Sequence, residues 1–135
     1  MNEAASAIYT KLQTRSQLTS LLAGTTAIYN MQAPDNATLP YVVFSLAGGG
    51  DENFDAHRTK NLVYFIRGYS KVSAAQAGSI DAQIDSAMHL QSLNVGGWAN
   101  FWTAREEDLT AVENLSNGEK IWMSGGNYRV RIEDT

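Results

Sequence analysis

The chain has 135 residues, 44% of them apolar and 18% charged, and a formal net charge of −4. That is an ordinary globular composition, which sets disorder aside, and its acidic balance argues against broad binding to a phosphate backbone, which needs Lys and Arg in excess on one surface. With no cysteine it has no disulfide framework, thiolate metal site or cysteine nucleophile, and no apolar run approaches the ~20 residues of a spanning helix.

Residues 3–15 are expected as a helix, because Ala5, Ile8, Tyr9 and Leu12 recur at helical spacing with Asn2 placed to cap and Glu3 in the first turn. This N-terminus has no basic start before an apolar run, so no signal peptide is read. Residues 25–31 are β-branched and aromatic enough for a strand, and Ala33-Pro34-Asp35-Asn36 is a turn signal. Leu39-Pro40-Tyr41-Val42-Val43-Phe44-Ser45 and Leu62-Val63-Tyr64-Phe65-Ile66-Arg67 read as two antiparallel strands. Val42, Phe44 and Leu46 share one face. Both faces are apolar enough to predict a central position with cover on more than one side. Residues 47–60 between them, including Gly48-Gly49-Gly50, are expected as a long polar loop, with 48–58 removable without loss of the fold.

Ser73 is placed to cap a helix of about 73–91. Its apolar stripe is Ala77, Ile80, Ile84, Ala87 and Met88, and Asp81, Gln83, Asp85 and Ser86 are expected to face water. Trp98–Arg105 reads as a strand, and 109–114 as a shorter one, with Glu106-Glu107-Asp108 as a solvated turn between them. Asn117-Gly118 marks a hairpin, and the last β segment runs from Lys120 to Ile132 with a bulge at Gly125-Gly126. The predicted fold is α+β: a mixed, mostly antiparallel sheet packed against two main helices, with a long β-hairpin arm at about 47–60, all in one domain over 1–135.

Chemical motifs are scarce. Gly48-Gly49-Gly50 lacks the Lys-Ser/Thr of a phosphate loop. Asp51, Glu52 and Asp55 form no calcium-loop ladder. His57 lies near Asp55 but without a nucleophile elbow, and His89 sits near a helix end. Trp98, Phe101, Trp102 and Trp122 read as core or subunit contacts, and Arg129 and Arg131 as a rim of salt bridges on one strand face. No catalytic residues, cofactor or metal are expected. A small ligand-binding or hydrolytic domain using Asp55 and His57 remains an alternative.

The order of elements resembles the tail terminator, or tail-completion, proteins of long-tailed bacteriophages with non-contractile tails. The resemblance lies in the short N-terminal helix, the Pro-containing turn, Leu39-Pro40-Tyr41-Val42-Val43-Phe44, the polar arm, the strand Leu62–Ile66, the small-residue helix Ala74–Ile80, and the late strand Gly125-Gly126-Asn127-Tyr128-Arg129-Val130-Arg131-Ile132. It implies a structural virion protein, assembled in the host cytoplasm and placed at the head–tail interface. It would be a homo-hexameric ring that caps the tail tube protein, stops its polymerisation and meets the head-side connector. DNA would pass through the lumen without specific binding, and no membrane is involved. A head-completion or neck protein of the same joint is the alternative. The residues read as facing partners are Asp51, Glu52, Phe54, Asp55, His57, Arg58, Arg129 and Arg131.

Overall fold

The computed structural model describes residues 1–53 and 56–135. The elements are α1 (Asn2–Gln13), α2 (Ser16–Thr19), β1 (Ile28–Asn30), β2 (Tyr41–Glu52), β3 (Thr59–Ser70), α3 (Ala74–Met88), β4 (Trp98–Asn114) and β5 (Lys120–Asp134). The five strands form one sheet in the order β1-β2-β3-β5-β4. Only the β1–β2 pair is parallel.

The helices lie on one face of this sheet. α1 contributes Ala4, Ile8 and Leu12, and α3 contributes Ile80, Ile84 and Met88. They meet Val42, Phe44, Leu62, Tyr64, Ile66, Tyr128, Val130 and Ile132 in one core. The alternation along β3 and β5 follows from the period of two in a strand. Each large apolar side chain removed from water here contributes about 1.5–3 kcal/mol. α3 crosses close over Gly68, where a Cβ would overlap Ile80. Its first turn is capped as expected, with the Gln76 N–H donating to Ser73 Oγ at 3.0 Å.

Several expectations are corrected. Asn2 is the first helical residue and its side chain makes no capping bond. α3 ends at Met88, because His89 turns to extended backbone and Leu90 adopts φ 56°. Among the described residues no helix lies on the other sheet face, where Val43 is buried beneath half-buried Tyr29, Tyr41, Phe65, Arg67 and Tyr69, so helices cover the sheet on one side. Leu46 is 47% exposed. β1 stops at Asn30, opposite Phe44, so Leu46 lies past the covered part of β2.

The largest correction concerns residues 47–60. β2 continues through all three glycines to Glu52 and β3 starts at Thr59, with Gly48 opposite Val63 and Glu52 opposite Thr59. The glycines form strand because each position still pairs its backbone with β3. Their one irregularity is a register shift between Leu46 and Gly48. Excision of 48–58 therefore cuts paired strand. In the same way, β4 is a single strand through Glu106-Glu107-Asp108. Its bulges fall between Asn100 and Trp102 and between Arg105 and Glu107, while β5 keeps its register through Gly125-Gly126.

Candidate functional site

The candidate residues gather at one end of the sheet, where β2, β3, β5 and the start of β4 lie side by side. Glu52 is level with Thr59, Glu133 and Ala99. Gly49 makes this end possible: its φ is 99°, and a Cβ would collide with the Asn61 carbonyl of β3.

Asp51 is the hub on the hairpin. It accepts from Arg58 Nη2 at 2.8 Å and from Lys60 Nζ at 2.6 Å. Those hydrogen bonds, that of Arg58 first, pull its carboxyl down to about 2. The same contact raises the Arg58 guanidinium above its ordinary value. The hairpin end is tied to the C-terminus by a reciprocal pair. The Arg58 N–H donates to Asp134 Oδ1 at 3.1 Å, and the Asp134 N–H donates to the Arg58 carbonyl at 2.9 Å. His57 Nδ1 lies 3.8 Å from the same carboxylate.

Glu52, Arg129 and Arg131 occupy the helix-free face. Arg131 donates to Glu52 Oε2 at 3.0 Å and lies 5.5 Å over the Phe101 ring. Arg129 donates to Glu106 at 2.8 Å and to Asn61 Oδ1 at 2.6 Å. The structure thus joins Asp51 with Arg58 and Glu52 with Arg131, and sets Arg129 apart with Glu106. Phe54 and Asp55 lie outside the described residues. Among the described residues no group of His, Asp and Glu could hold a metal ion, and no helix is long and apolar enough to cross a membrane. These ion pairs are open to solvent, so this end of the sheet draws little stability from them.

A second constellation escaped sequence reasoning. Arg105, on β4, turns inward and forks onto Asp81 of α3, at 2.6 Å to Oδ1 and 2.9 Å to Oδ2. It also donates to Tyr128 Oη at 3.0 Å, to the Gly125 carbonyl at 2.9 Å and to Asp108 at 2.6 Å. Ser124 Oγ donates to Asp81 and Tyr128 Oη donates to Asp85. Asp81 is 9% exposed, which corrects its placement on the wet face of α3. The carboxylate raises the Arg105 guanidinium, and burial raises the Tyr128 hydroxyl against the pull of Arg105. Gly126 opens the space, since a Cβ there would stand 2.7 Å from Arg105 Nε. His89 joins the group by accepting the Arg105 N–H at Nδ1, 3.0 Å away. The pieces are scattered over three elements. The one signal in sequence was a single Asp at an otherwise core-facing turn of α3. Charge-assisted bonds of this kind fix geometry more than they drive chemistry.

Three comparisons bear on this arrangement. The protein family described as tail completion protein gp17 matches residues 6–119. No curated protein matches the sequence. Among solved structures, a chain from the virion of a native gene transfer agent (GTA) particle is similar with a TM-score of 0.66 at 19% identity, over 95% of this chain and 92% of that one. Another solved chain is similar with a TM-score of 0.57 at 13% identity, over 96% and 94%. At these identities the likeness to both is one of fold.

Proposed function

The chain belongs to the tail completion protein family, and from that premise we propose that it works as a tail terminator, a homo-hexameric ring seated on the end of a phage tail tube. The ring stops polymerisation of the tube protein and forms the joint to the head-side connector. The match across residues 6–119 carries this reading. The fold shared with a chain of a gene transfer agent virion supports it.

The mechanism is binding and geometry. A closed ring uses head-to-tail contacts, so each subunit needs two different, complementary patches. The charged end of the sheet is one: Asp51, Glu52, His57, Arg58, Arg129 and Arg131, with Phe54 and Asp55 retained on sequence grounds. The alternating acids and cations select a complementary partner surface and speed its encounter more than they add affinity. DNA crosses the lumen without specific binding. Electron microscopy of the purified protein, alone and mixed with tail tubes, tests the proposal. Six-fold rings closing one end of each tube are expected. A twelve-fold ring would assign the protein to the head side of the joint, and a constitutive dimer without rings would overturn the reading.

A further inference from the structure

β4 is an edge strand, so its outer N–H and C=O groups need partners from outside the sheet. At one point the end of α3 supplies them. The Leu90 N–H donates to the Thr103 carbonyl at 2.7 Å, and His89 Nδ1 accepts the Arg105 N–H at 3.0 Å. The turn that brings both groups to β4 is made by Leu90 in left-handed backbone, φ 56°, with its side chain 60% exposed. Leucine disfavours that conformation, so the turn relies on contacts such as these two. One of the two depends on a titratable group.

We propose that His89 is a pH-operated latch on the β4 edge: the neutral imidazole holds the edge to α3, and protonation lets it go. A ring nitrogen accepts a hydrogen bond only while it carries no proton. The contact with Arg105 therefore needs a neutral ring with its proton on Nε2. Protonation turns Nδ1 into a donor that faces another donor. The freed imidazolium has a second seat. The last turn of α3 contains no basic residue, so the helix end lacks the cation that its carbonyls favour. The surrounding charges fit this exchange. Asp81 and Asp85 of α3 join Arg105 and Asp108 of β4 and Tyr128 of β5 in one hydrogen-bonded network. Glu106 is taken up by Arg129, and Lys11 and Arg15 border the groove beside Ser86, Ala87 and Gln91. Among the described residues His89 makes no ion pair, so no carboxylate holds an imidazolium against the Arg105 N–H. An open latch leaves that N–H unpaired on the sheet edge, where an extended segment can pair with it. The latch does not depend on the ring reading.

NMR of the isotope-labelled full chain tests it between about pH 5 and 8, the range in which imidazole charge changes. At the upper end the His89 ring should carry its proton on Nε2. The protection factor of the Arg105 amide, which corrects for the intrinsic effect of pH on exchange, should fall at least tenfold as the ring is protonated. The Ala104 amide, turned towards β5 by the alternation of the strand, should keep its protection. His89→Asn retains an acceptor, Oδ1, at the place of Nδ1 on a side chain that does not titrate. In that variant the Arg105 amide should be equally protected at both ends of the range. A ring protonated on Nδ1 at high pH, or protection of Arg105 that ignores pH, would overturn the latch. So would an equal loss in His89→Asn, or a parallel loss at Ala104, which would trace the change to a general loosening of β4.

Discussion

Arg105 makes five hydrogen bonds from a side chain 14% exposed, and its carboxylate partner Asp81 is nearly as enclosed. Removing one partner of such a pair leaves a desolvated charge without compensation. Arg105→Ala should therefore destabilise the fold by about 3–5 kcal/mol, read by urea or thermal unfolding. Arg105→Lys, which keeps the charge but cannot fork onto both oxygens, should fall between it and the parent. Equal stability of Ala and parent would remove the pair from the fold's energetics. Asp51 is the opposite case, an exposed acid between two cations. Its folded pKa, about 2, lies below the ordinary value of 3.8. Its contribution to the hairpin is therefore complete above about pH 4 and fades as pH falls towards 2. A carboxyl NMR titration should give a midpoint near 2, and a midpoint at the ordinary value would break the contact with Arg58 and Lys60.

At the scale of elements, β2 carries both the best and the worst of the sequence reading. Its first half was legible because Tyr41-Val42-Val43-Phe44 is an unbroken run of β-branched and aromatic residues, of which Val42 and Phe44 are buried to 0% and 1% exposure. Phe44→Ala should cost about 3–5 kcal/mol, and an unchanged melting temperature would mean the ring is not in the core. Its second half was illegible. Glycine has weak strand preference, and the pairing that overrides it comes from β3, whose register no local pattern reports. β4 failed for a related reason: a run of three acids looks like a turn until β5 is seen to hold it in place. α3 succeeded because its cap and stripe are local, apart from Asp81, whose partner lies 24 positions away on another element. The site divides along the same line. The clustering of charge at 51–58 was visible in sequence, whereas the junctions Glu52–Arg131 and Arg129–Glu106 required the register of the sheet.

For the whole molecule, the net charge of −4 combines with a pattern in which most arginines already face an acid. Phosphate binding needs cations free to release counterions. Duplex DNA should show no retardation at physiological salt, with affinity weaker than the roughly 100 µM limit of non-specific binders. A clear shift in a gel assay would contradict passage without binding. The second bulge of β4 has a mechanical meaning as well. It falls beside Arg105, where the strand is fastened to α3 through Asp81. Beyond that point β4 stays paired with β5 as far as Asn114, and β5 stays paired with β3 from Trp122 onward. A load applied near Asn114 is therefore shared between that ladder and the bidentate contact. Arg105 braces the long hairpin from the helix side while backbone pairing holds it from the sheet side.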